Sequence, residues 1–88
     1  MGKSAKLFLK VLDGRSDNNL RFIEICNLLI KLGFQQRIKG SHHIFYSVKI
    51  QEILNLQDNN GFTKAYQTKQ VREIIIKYNL KLIEEDEI

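Results

Sequence analysis

Three observations predict an α+β domain in which helices cover one face of a three-stranded antiparallel sheet. Apolar residues recur at spacings of three and four over residues 4–32 and again over 71–78, and the period changes to two between residues 34 and 57. Short clusters of turn residues separate the period-two runs. Strands joined by such tight turns pair antiparallel, and a sheet of that kind has one face packed and one open. A chain of 88 residues buries only about 60–65% of its unfolded surface, so it holds one domain with a shallow working surface.

The first helix spans residues 4–12, where Leu7/Val11 and Phe8/Leu12 are i, i+4 pairs and Asp13-Gly14 is the stop. Gly14-Arg15-Ser16-Asp17-Asn18-Asn19 is dense in turn residues and reads as a loop. In the second helix Phe22, Ile25, Cys26, Leu29 and Leu32 form one apolar stripe, and Gly33 stands where a left-handed C-terminal cap belongs. Cys26 lies on that stripe and reads as a buried, inert thiol rather than a nucleophile or metal ligand. Phe34, Gln36 and Ile38 then alternate with Gln35, Arg37 and Lys39, giving a first strand with one basic face. Gly40-Ser41 makes a turn, and residues 42–48 and 50–57, rich in β-formers, are the second and third strands. Asp58-Asn59-Asn60-Gly61 ends the third strand, and residues 62–67 read as loop. Thr68 is expected to N-cap the last helix, with Val71, Ile74, Ile75 and Tyr78 as its buried stripe and Lys69, Arg72, Glu73 and Lys77 facing water.

Set beside an extra short N-terminal helix, the remaining order α-β-β-β-α is that of the double-stranded-RNA-binding fold. Both helices flanking the sheet can pack on the same face and leave the other for a partner. Residues 1–83 form the domain, with 1–19 as an N-terminal extension and 84–88 as an acidic tail. The formal net charge is +4, but four of the ten acids lie in the last five residues, so residues 1–83 carry 14 bases against 6 acids, or +8. A body that basic suits a polyanion, since each cation that neutralises a phosphate releases a condensed counterion. One cysteine excludes an internal disulfide, and no apolar run approaches the ~20 residues of a membrane span. The start, Met1-Gly2-Lys3-Ser4-Ala5-Lys6, lacks the pattern of an export signal, so a cytoplasmic protein with no membrane association is expected.

His42 and His43 are the only histidines, and histidine is the side chain whose unperturbed pKa lies nearest neutrality. Adjacent on a strand, they point to opposite faces of the sheet. One of them therefore addresses the open face, and the two cannot chelate a metal together, so neither a metal site nor a cofactor is expected. Two registers are open. Either Phe45 is in the core with His43 and Ser47, and His42, Ile44 and Tyr46 face out, or the reverse holds. The neighbouring Gly40-Ser41 favours His42, at the strand's start beside a backbone that a phosphate can approach closely.

The stretch Lys39-Gly40-Ser41-His42-His43-Ile44-Phe45, a few residues after Leu32-Gly33-Phe34, resembles the signature of the HicA family, small mRNA-interferase toxins of bacterial type II toxin–antitoxin systems. Asn55-Leu56-Gln57 and Tyr66-Gln67-Thr68-Lys69-Gln70-Val71-Arg72 are similar to a longer HicA subgroup, which also carries an N-terminal segment like residues 3–19. The resemblance covers roughly residues 3–80 and departs from many HicA proteins at the second hairpin, which here is Ser47-Val48-Lys49-Ile50 with no proline. It implies a double-stranded-RNA-binding-like domain that cleaves mRNA and is neutralised by a HicB-like antitoxin. It also implies that the essential histidine, the one directly after Gly-Ser, is His42. No catalytic part carries over to His43.

RNA carries its own nucleophile in the 2′-OH, so an enzyme need only take that proton, stabilise the phosphoryl oxygens and protonate the leaving 5′ oxygen. The expected mechanism uses His42 as general base or acid without a metal, Arg37 and Lys39 on the phosphates, and Gly40 and Ser41 as donors to the anionic transition state. The competing readings are a non-catalytic RNA-binding module of the same fold and a protein-binding domain that uses the open sheet edge.

Overall fold

The computed structural model describes residues 2–82, so the acidic tail lies outside the described residues. Its elements are α1 (Lys3–Asp13), α2 (Phe22–Lys31), β1 (Gln35–Lys39), β2 (His42–Ser47), β3 (Ile50–Leu56) and α3 (Ala65–Lys77). The strands form one antiparallel sheet in the order β1-β2-β3. Three helices with such a sheet make the small α+β domain that the periodicity implies. No helix among the described residues is long and apolar enough to cross a membrane.

The apolar stripe of α2 sets the core. Phe22, Ile25, Cys26, Leu28 and Leu29 are buried and meet Phe45, Leu54 and Leu56 from the sheet and Val71, Ile74 and Ile75 from α3. Val11 of α1 completes this cluster at 0% exposure. Two glycines supply the backbone freedom the ends need: Gly14 caps α1 at φ +85° and Gly33 follows α2 at φ +105°. Burial pushes the Cys26 thiol up to about 11, with the Asp58 carboxylate adding to the effect, so at neutral pH it is a protonated, apolar filler.

The start of α3 corrects the sequence reading. The helix begins at Ala65, inside the stretch expected to be loop, and Thr68 is not its N-cap. Thr68 is fully buried, and its hydroxyl donates to the Asp17 carbonyl at 2.7 Å. The preference of threonine for bonding backbone groups is used here across 51 residues rather than at the helix's own start. Arg72, expected to face water, turns inward instead. Its guanidinium grips Asp17 through two bonds of 2.8 and 3.0 Å and donates to the Val11 carbonyl at 3.0 Å. The α1–α2 loop is thus clamped to α3 by Thr68 on its backbone and Arg72 on its carboxylate.

At the other end of α3, Lys77 Nζ and the Tyr78 hydroxyl both donate to Glu52 of β3, at 2.7 and 2.9 Å. These bonds hold the Glu52 carboxyl below the usual carboxylate range. Val48 leaves the expected second strand: it sits in the β2–β3 turn and is 92% exposed.

Candidate functional site

The register decides between the two histidines. Phe45 is fully buried, so the odd residues of β2 point at the helices and His42, Ile44 and Tyr46 point away from them. His43 lies on the covered side, where its ring meets Phe22 edge-on at 4.9 Å between centroids and its Nδ1 donates to Gln36 at 2.9 Å. His42 lies on the open face.

Pairing with β1 brings the basic residues to the same face. Lys39 stands opposite His42, Arg37 opposite Ile44 and Gln35 opposite Tyr46. All five residues of β1 are exposed, so this strand is a solvated edge whose alternation gives a basic face without a buried one. The sheet residues that share the face with His42, namely Gln35, Arg37, Lys39, Ile44, Tyr46, Gln51, Ile53 and Asn55, include no carboxylate. The local field therefore favours an anion. Gly40 adopts φ +60° at the first of the two loop residues between β1 and β2, where a glycine is needed for a hairpin of this length. A Cβ there would meet nothing within 4 Å, so the space over the turn is open.

Two residues outside the predicted set complete the site. His42 Nδ1 is 3.0 Å from Asn55 Oδ1, and Gln57 Nε2 lies 3.1 Å from Ser41 Oγ and 3.4 Å from His42 Nε2. One assignment of protons satisfies all three contacts. Nδ1 carries the hydrogen and donates to the Asn55 oxygen, leaving a lone pair on Nε2 that accepts from the Gln57 amide. The second hydrogen of that amide goes to Ser41. The arrangement fixes both the ring's plane and its tautomer, as the partner of one imidazole nitrogen does for the other in general.

Asn55 and Gln57 belong to a stretch that the sequence marks only by resemblance. A hairpin argument reaches them independently: a two-residue turn at Val48-Lys49 pairs Ser47 with Ile50 and, continued without irregularity, sets Asn55 beside His42. A bulge between Phe45 and Ser47 shifts the observed register so that Asn55 faces Ile44. The shift moves Asn55 by two residues and so keeps it on the same face, diagonal to His42.

Of the predicted residues, the structure brings His42 and Ser41 into one hydrogen-bonded cluster and places Lys39 and Arg37 on the flanking strand of the same face. Gly40 shapes the turn. No group of three or more His, Cys, Asp or Glu side chains able to hold a metal ion occurs among the described residues. What the arrangement offers is one oriented imidazole with a proton-accepting nitrogen, a hydroxyl and an amide beside it, and two cations on a flat, solvated surface. Compared with protein-family models, curated proteins and solved structures, the chain matches none.

Proposed function

We propose that this chain is an endoribonuclease of the HicA mRNA-interferase type, a toxin that cuts RNA with His42 on an open sheet face of a double-stranded-RNA-binding-like domain. The observation that carries the reading is the His42 cluster. An imidazole held by Asn55 with its Nε2 lone pair turned toward Gln57 and Ser41 is poised as a base, and it stands on a face that carries Arg37 and Lys39 and no carboxylate. Supporting it are the Gly40-Ser41-His42 motif, the α-β-β-β-α order and the net charge of +8 over residues 1–83.

In this reaction RNA lies across the sheet with a phosphate over the Gly40-Ser41 turn. The substrate's 2′-OH displaces the long Gln57 contact from His42 Nε2, which takes the 2′-OH proton as the 2′ oxygen bonds to phosphorus, and the bond from phosphorus to the 5′ oxygen breaks. The leaving oxygen takes a proton from water or from the imidazolium, and the products are a 2′,3′-cyclic phosphate and a 5′-hydroxyl. Arg37, Lys39 and the donors of Ser41 and Gln57 stabilise the charge that grows on the phosphoryl oxygens. The natural regulator is a HicB-like antitoxin whose acidic surface covers this face, blocking RNA by charge and by bulk together.

The test is cleavage of an end-labelled RNA in EDTA. Wild type cuts it, and His42→Ala cuts at least about 100-fold more slowly, the loss expected of a positioned general base, with its fold intact by circular dichroism. His43→Ala, on the covered side, keeps cleavage within a few-fold. Salt-sensitive binding without cleavage by the wild type would refute the enzyme and leave an RNA-binding module. Full cleavage by His42→Ala would refute the assignment.

A further inference from the structure

The side chain of Gln57, which holds Ser41 and His42, projects from a residue just beyond the last ladder pair of β3, at Leu56. At that position the sheet no longer fixes the backbone. The substitute comes from α3. Gln67 is buried at 1% exposure, and a buried amide is costly unless its donor and acceptor are matched. One orientation of its amide matches both: the oxygen accepts from the Gln57 N–H at 3.0 Å, and the nitrogen donates to the Gln57 C=O at 3.2 Å. A carboxamide is a copy of a peptide group. Here it acts as one more rung of the ladder, contributed by a helix.

α3 itself asks little of this side chain beyond a long capping contact, 3.4 Å from the Lys64 N–H, which the orientation that grips Gln57 gives up. Its apolar contacts are made by Val71, Ile74 and Ile75, and a methionine fills a similar volume. What an apolar residue cannot do is grip both backbone groups of Gln57. We propose that Gln67 is a positioning residue, buried behind the sheet, that fixes the Gln57 backbone so that the Gln57 amide can set the tautomer and aim of His42. The proposal rests on the reading of His42 as the reacting base.

The tautomer is directly measurable. In the ¹⁵N-labelled full chain, two-bond ¹H–¹⁵N correlations of the His42 ring, recorded at alkaline pH where imidazoles are neutral, distinguish Nδ1–H from Nε2–H. Wild type is expected in the Nδ1–H form. Gln67→Met is expected to release Gln57, leave Asn55 alone to hold the Nδ1–H form, and so shift the ring part of the way toward Nε2–H, the form that free imidazole side chains prefer. Cleavage by this variant falls about 10- to 100-fold in kcat, the scale of a small misplacement of a reacting group, with KM for RNA within about twofold. Gln57→Ala gives the same tautomer change, and adding Gln67→Met to it changes the tautomer no further, because the one acts through the other. A Gln67→Met protein that melts at a lower temperature but keeps the wild-type tautomer overturns the proposal, as does a wild-type ring in the Nε2–H form. If the methionine variant does not fold, Gln67→Asn, which keeps the amide and withdraws it by one methylene, takes its place: a shift toward Nε2–H supports the proposal and an unchanged ring overturns it. The tautomer is read without RNA, so a wild type that cuts no RNA refutes the proposed function, while the ring's tautomer in the Gln67 variants still decides separately whether Gln67 positions His42.

Discussion

The two faces of the sheet carry one histidine each, from adjacent positions of one strand, and treat them in opposite ways. His43, on the helix side, is held by a ring contact with Phe22 and one bond to Gln36 at the rim of the core. His42, on the open side, is held by hydrogen bonds alone, to Asn55 and from Gln57, and is exposed. The difference teaches how a small domain divides its labour. The covered face supplies rigidity through buried apolar area and clamped loops, while the open face spends almost no stability and is free to present polar groups in a fixed pattern.

The strongest way to break this division is to weaken each face in turn. Phe45 is fully buried at the centre of the sheet, so Phe45→Ala should cost about 4 kcal/mol through lost burial and the cavity left behind, most of the stability of a domain this size. Ile53, on the open face and 67% exposed, should tolerate Ile53→Thr within about 0.5 kcal/mol. Urea unfolding of both variants measures the contrast. Comparable losses at the two positions would show that the open face is also part of the core.

The fold was legible in the sequence where burial follows local period. The stripe from Phe22 to Leu29, the glycine after α2 and the Gly40-Ser41 turn all stand where spacing and turn chemistry put them. What local pattern could not carry was any choice between near-equal alternatives or any partner remote in sequence. Both sets of β2 residues include apolar side chains, and only the burial of Phe45 against Phe22, Ile25 and their neighbours separates them. Thr68 and Arg72 read locally as a cap and a solvent-facing cation because their partner, Asp17, lies 51 and 55 residues away. Asn55 and Gln57 are at the site only through register, and Gln67 reaches it only through the backbone of Gln57.

The clamp on the α1–α2 loop gives the next prediction. The Arg72–Asp17 pair is only 18% exposed on each side, and the guanidinium serves the Val11 carbonyl as well. Breaking a fully buried pair costs about 3–5 kcal/mol, and partial exposure reduces that, so Arg72→Met should cost about 2 kcal/mol by urea or thermal unfolding. Well below its melting temperature the variant should keep the wild-type His42 spectrum. A change in that spectrum without loss of stability would mean that the clamp serves the open face directly, against a division of labour between the faces.

Smaller still is the effect of a matched pair of substitutions on the covered side. Thr63 and Thr68 are both buried, at 1% and 0% exposure, and valine has nearly the same shape as threonine. The Thr68 hydroxyl donates to Asp17, so Thr68→Val leaves that carbonyl without its donor and should cost about 1–2 kcal/mol. The Thr63 hydroxyl has no hydrogen-bond partner among the described residues, so Thr63→Val removes a group that gains nothing from burial. It should be neutral or raise stability by up to about 1 kcal/mol, read as a small upward shift in melting temperature. Equal losses for the two would show that threonine is kept on this side for its backbone preference rather than for its bonds. Opposite signs would show that each polar group buried behind the sheet stabilises only through the partner it holds, the same property that makes Gln67 useful to the face it never touches.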